Sequence, residues 1–297
     1  MRMRRPRLSF PRSMIITIFA VSMKQKQQLI EIPDTWQDLT PDDWREVLKI
    51  RQKVVDHGGR YSELDIRTET ARILLKNRGV KTHIGNPDYI RLIGQIAETL
   101  GWLWHAEGAV ISLVYKDTRN LLPTVRDWKG PADHGQDLVF GEFRQAFVHL
   151  KAYEQTQAVT PLHALAGLLY RPCDGRSRRL PYDDDSIDEK IARGQQMQPW
   201  QVWGIYAWFA YFCEYLTTGT FIIDGCEVCF APLFSHESTS ASGGSPAGNS
   251  LQQICLTLAE SHVFGTARDV DNTPLLTVMQ KLLMDYETLQ KLRRKKK

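Results

Sequence analysis

Little in this chain invites a chemical reading. The 297 residues include only five cysteines, Cys173, Cys213, Cys226, Cys229 and Cys255, an odd and scattered set that argues against a disulfide framework and fits a reducing compartment. Cys226 and Cys229 form the single CxxC, with no second pair at zinc-finger spacing. They also fall in an apparent strand, where residues three apart face opposite ways, so metal binding is not expected. There is no Gly-rich phosphate loop, no HExxH and no GxSxG; Gly243 to Gly248 reads GGSPAG, which is linker composition. The acid run Asp183, Asp184, Asp185, Asp188, Glu189 lacks the loop glycine and terminal glutamate of an EF-hand. His149 and His163 sit on separate helical stretches and suit helix faces better than catalysis. The expectation is a protein with no catalytic residue, cofactor, metal or small-molecule substrate.

Charge is unevenly spread. The net charge is +4, yet Arg2, Arg4, Arg5, Arg7 and Arg12 at one end and Lys291, Arg293, Arg294, Lys295, Lys296 and Lys297 at the other supply eleven positive charges with no acid among them, which leaves −7 on the body. A nucleic-acid binder wants a basic face on its folded domain, so nucleic acid is an unfavoured partner. The apolar run Met14 to Met23 is about ten residues, too short to span a bilayer. It follows five arginines and ends in Ala20-Val21-Ser22, which is compatible with a signal peptide. The preferred reading is an upstream extension to a chain that starts functionally at Met23 in the cytoplasm.

What is present is helical punctuation. Thr40-Pro41-Asp42-Asp43 opens a helix that should run to about Val55 and stop at Gly58-Gly59; Ser62 to Asp65 resembles a capping box; Asn86-Pro87-Asp88 starts a third helix with Tyr89, Leu92, Ile93, Ile96 and Leu100 inward. Val110 to Tyr115 and Leu121 to Val125 flank a turn-like Asp117 to Asn120 and predict a hairpin. Phe140 to Pro172 holds two helices in tandem, the first with Phe143, Phe147, Leu150 and Tyr153 on one stripe, the second capped at Thr160-Pro161 and stopped by Arg171-Pro172. Residues 173–190 read as a solvated loop carrying Arg176, Arg178 and Arg179 before the acids. Trp200 to Thr217 is apolar nearly all round, with eight of the 29 aromatics and no basic residue, and predicts a buried helix. Asp224-Gly225 signals a second hairpin.

The fold class expected is mainly α, a multi-helix bundle-like body with one or two small β-hairpins. Its organisation reads as an amino-terminal extension (1–22), a helical body (23–234), a flexible linker (235–250) and a carboxy-terminal helical segment with a basic tail (251–297). The final helix, with Leu275, Met279, Leu282 and Tyr286 on a wide apolar face, is the expected partner-binding element, together with Arg176, Arg178 and Arg179; the alternative is that residues 251–297 fold back and complete the core.

In order and wording, the segments IPDTWQDLTPDDW, LVFGEFRQAFVHLKAY, LHALAGLLYRP, SLQQICLTLAESHVFG and TPLLTVMQKLL resemble a family of phage and prophage proteins encoded among tail genes, similar in role to tail assembly chaperones. The resemblance implies a non-enzymatic cytoplasmic factor that binds a phage tail protein such as the tape measure protein. Two other classes fit parts of the chain: a nucleic-acid-binding accessory protein using its basic tails, and a secreted or envelope protein using residues 1–22 as a signal.

Overall fold

The computed structural model describes residues 14–18, 28–58, 60–81, 85–107, 110–176, 178–183, 186–234 and 247–295. It is mostly helical, 63% helix, with small antiparallel sheets. The signal-peptide and Met23-start expectations fall largely outside the described residues, as do 235–246 of the expected linker. Ala247–Ser250 of that linker is helical. The chain divides into two compact units, 1–115 and 116–297.

In the first unit, strand β1 (Met14–Ile18) pairs antiparallel with β2 (Gln28–Ile32). Helices α1 (Pro41–His57), α2 (Glu63–Asn77) and α3 (Pro87–Thr99) follow, each starting at the polar residue the sequence marks. Thr40 and Ser62 accept from the backbone N–H groups of Asp43 and Asp65, whose carboxylates accept in return from the two cap N–H groups; Asn86 accepts from Asp88 N–H. Trp44, Trp102 and Tyr115 gather edge-on around Trp36, with ring centres 5.0 to 5.5 Å from it. The buried Trp104 indole donates to Thr70 Oγ1 at 3.0 Å.

The first predicted hairpin forms differently. Strand β4 (Val110–Leu113) pairs backwards with β3 (Trp104–Glu107), Trp104 opposite Leu113. The supposed turn is held otherwise: Asn120 N–H donates to Asp133 Oδ1 at 2.8 Å, the Asn120 amide to Pro131 O at 2.8 Å, and His134 N–H to Thr118 O at 2.8 Å. These bonds close the segment on residues 131–134, and Thr124–Val125 pairs instead with Trp128–Lys129.

The second unit has strands β5 (Thr124–Val125) and β6 (Trp128–Lys129), then α4 (Phe140–Thr156), α5 (Val159–Leu169) and β7 (Arg171–Pro172), which adds to β6 to make a three-stranded sheet. α5 begins ahead of the predicted Thr160 cap: Gln157 turns left-handed (φ 55°) and Ala158 N–H reaches Thr156 Oγ1, so Pro161 falls in the first turn, where its missing N–H has no helical partner to lose. The predicted loop after Pro172 contains α6 (Ile187–Gln195), opened by a Ser186–Glu189 capping box. α7 (Pro199–Thr218) is the aromatic helix, burying Ile205, Trp208, Phe209 and Phe212, with Phe209 5.9 Å from Phe143 of α4. No helix among the described residues is long and apolar enough to cross a membrane. The Asp224-Gly225 hairpin forms as read: β8 (Thr220–Ile223) pairs with β9 (Cys226–Cys229), and both turn residues have positive φ (51° and 78°). Helices α8 (Ala231–Phe234), α9 (Ala247–Glu260), α10 (Ala267–Asp271) and α11 (Leu275–Lys295) complete the unit.

α5 and α6 cross on two glycines. A Cβ at Gly167 would lie 1.9 Å from Lys190 O, and one at Gly194 2.0 Å from His163 O. Backbone meets backbone there, and Arg193 Nη1 seals the crossing by donating to Gly167 O at 2.7 Å.

Candidate functional site

The opening turn of α4 joins the remote parts of the second unit. On one side lies Glu142, fully buried. It accepts from Arg171 Nη2 at 3.0 Å and from Arg179 Nη1 and Nη2 at 2.6 and 3.1 Å. Both guanidiniums are interior, with side chains 8% and 4% exposed. Arg179 also reaches the carbonyls of Leu169 and Asp137. Burial pushes the Glu142 carboxyl above its ordinary range, although the two guanidiniums pull it back; burial likewise lowers Arg171.

The loop that carries Arg179 is a short hairpin rather than a solvated run. Asp174 N–H donates to Arg178 O at 2.8 Å, Leu180 N–H to Pro172 O at 2.9 Å, and Asp174 Oδ1 accepts from the Arg176 and Arg178 N–H groups. The chain therefore folds back and delivers Arg179 beneath α4, while Arg176 and Arg178 stay exposed and Arg178 pairs with Asp174 at 3.0 Å. Of the three arginines expected to meet a partner, Arg179 is corrected to an interior residue that neutralises Glu142.

On the other side of α4, Arg144 donates to Asp271 Oδ2 at 2.8 Å and to Gln252 Oε1 at 2.6 Å, tying in α10 and α9. Phe140 N–H donates to Thr273 O at 2.9 Å, and Leu275 N–H to Leu138 O at 2.8 Å, so the start of α11 is bonded to the entry of α4. Gly141 lets this happen, since a Cβ there would lie 2.8 Å from Asp271 Cβ.

α11 consequently has two halves. Leu275, Val278 and Met279 are buried. Leu275 and Met279, expected on a contact face, are thus core. Leu282 and Tyr286 are half-buried. Farther along, Met284, Leu289 and Leu292 are 64%, 56% and 52% exposed, and Lys291, Arg293, Arg294 and Lys295 are exposed as well. Leu275, Met279, Leu282, Tyr286 and Leu289 recur at alternating spacings of four and three, the seam of a coiled coil, so one apolar line starts inside the protein and ends in solvent.

The cysteines and histidines form no comparable arrangement. Cys226 and Cys229 are exposed at opposite ends of β9, and no group of three potential metal ligands gathers among the described residues. His149 and His163 are both shifted downward, His149 by burial and Lys190, His163 by burial. Compared with known proteins, the chain matches no protein family, no curated protein and no solved structure.

Proposed function

We propose that this chain is a non-enzymatic, protein-binding factor of phage tail assembly, acting in the host cytoplasm, in which a bundle-like helical body carries the distal half of α11 as a binding arm. The observation that supports it is the apolar line of α11, which continues past its buried anchors to Leu289 and Leu292 in solvent. Large apolar side chains in a row on an exposed helix are the usual mark of a helix that meets another surface. The tail-gene context comes from the resemblance of the quoted segments, and the partner it suggests is a tail protein such as the tape measure protein.

The test is co-expression of the tagged chain with the tape measure protein of the same tail gene cluster, as full length and as a form ending at Lys281. The shortened form keeps Leu275, Val278 and Met279 and is expected to retain its circular dichroism spectrum while losing the partner. Should truncation disturb the fold, Leu289→Gln with Leu292→Gln removes the surface without shortening the helix. Co-purification that survives the double substitution rules out α11 as the arm.

A further inference from the structure

Resting on α11 as a binding arm, we infer that its partner is an acidic amphipathic helix of another protein, with an apolar stripe for Leu289 and Leu292 and carboxylates for the cationic end. The two features lie in one stretch. Residues 282–295 extend about 21 Å at the helical rise, with Met284, Leu289 and Leu292 exposed and Lys291, Arg293, Arg294 and Lys295 crowding the last turns, followed in sequence by Lys296 and Lys297. Lys291, Arg293, Arg294 and Lys295 are exposed on different sides of the last helical turns, so a helix seated along the apolar line meets them. The acids nearby are already committed or too few: Asp285 pairs with Lys281, which leaves Glu287 against six positive charges.

A second copy of this chain fits poorly. Parallel pairing of two α11 helices sets cationic end beside cationic end. Antiparallel pairing sets that end beside Lys281 and Asp285, which already neutralise each other. A carboxylate-rich helix removes the repulsion in either direction, and the cations then also favour the approach of the partner from a distance. A nucleic acid would use the cations and leave Leu289 and Leu292 exposed.

The probe is a synthetic helical peptide with leucines at three–four spacing and glutamates elsewhere, labelled for fluorescence anisotropy and titrated with the full chain. Its counterpart carries lysine at every glutamate, and a short duplex DNA is the third ligand. The acidic peptide is expected to bind at least about tenfold tighter than the basic one. Leu289→Gln with Leu292→Gln should weaken it about tenfold, the size of one well-buried apolar anchor. Arg293→Glu with Arg294→Glu should slow association and flatten its salt dependence. Equal binding of the two peptides, binding of neither, or DNA binding tighter than the acidic peptide and indifferent to the leucine substitutions overturns the inference. A tape measure protein that co-purifies through α11 while the peptides fail leaves the functional reading standing and this inference refuted. Selective peptide binding without any tail partner does the reverse.

Discussion

Each unit buries a carboxylate beside arginine, and the two behave oppositely. In the first, Asp43 accepts from Thr40 N–H and Oγ1, Asn77 Nδ2 at 2.9 Å and both Arg78 Nη atoms at 3.2 Å. Burial alone would raise its pKa, but the bonds from Arg78, Asn77 and Thr40 together outweigh it and the net shift is downward. In the second, Glu142 accepts among the described residues from two guanidiniums, lies near the like charge of Asp137, and is shifted upward because desolvation dominates. The difference teaches that an arginine neighbour does not fix the direction of a carboxylate's shift; the number of donors it collects against the water it loses does. Asp43 collects donors because it sits in a capping box, where the chain itself supplies two. Glu142 depends on residues 29 and 37 positions away.

The largest expected effect comes from breaking the Glu142 side. Glu142→Ala removes the acceptor that Arg171 and Arg179 share, leaving the half-exposed Asp137, 3.2 Å from Arg179 Nη2, as the carboxylate beside them, and should cost about 3–5 kcal/mol, read by denaturant unfolding and by faster hydrogen exchange in α4 and β7. A loss under about 1 kcal/mol would mean that the guanidiniums find water or other acceptors there.

Next is the crossing that holds the same unit. Gly167→Ala puts a methyl into Lys190 O and forces α5 and α6 apart, at about 3 kcal/mol. Among the described residues of the first unit, α1, α2 and α3 show no such crossing on glycine backbone.

Smallest, and the sharpest test of the opposed directions, is Asp43→Asn. At neutral pH it should cost about 2 kcal/mol through the charge-assisted bonds lost to Arg78. Because the folded pKa of Asp43 lies below its unfolded value, its contribution is present above the ordinary value of 3.8 and fades as pH falls through the folded one. The parent should therefore lose stability below about pH 4 while the Asn variant loses less over that window. Glu142 has the reverse sign: its folded pKa is raised, so its contribution declines as pH rises through and above the ordinary 4.5. Melting curves from pH 3 to 7 compare the two.

Much of the first unit was legible because its signals are local. A cap residue and its partner two or three positions on declare a helix wherever the chain lies, and Thr40, Ser62 and Asn86 do so. The same signature at Ser186 and Glu189 stood in plain view, but the surrounding acids made the stretch read as a loop. The 110–125 hairpin failed for a physical reason: β propensity marks strands but not their mates, and Asn120, Asp133 and Thr118 decided the pairing from outside the strands.

The amino-acid sequence by itself determined the mainly helical class, the helix starts, the buried aromatic α7 and the Asp224-Gly225 turn, since each depends on side chains within a few residues of one another. Tertiary structure alone decided which glycines carry a helix crossing, that Arg179 is interior while Arg178 is not, and where along α11 the apolar line leaves the core. Those outcomes depend on what a residue meets across the fold. Gly167 and Gly94, or Leu275 and Leu289, are chemically the same residue, and only what is packed against one and the open space or water around the other separate their roles.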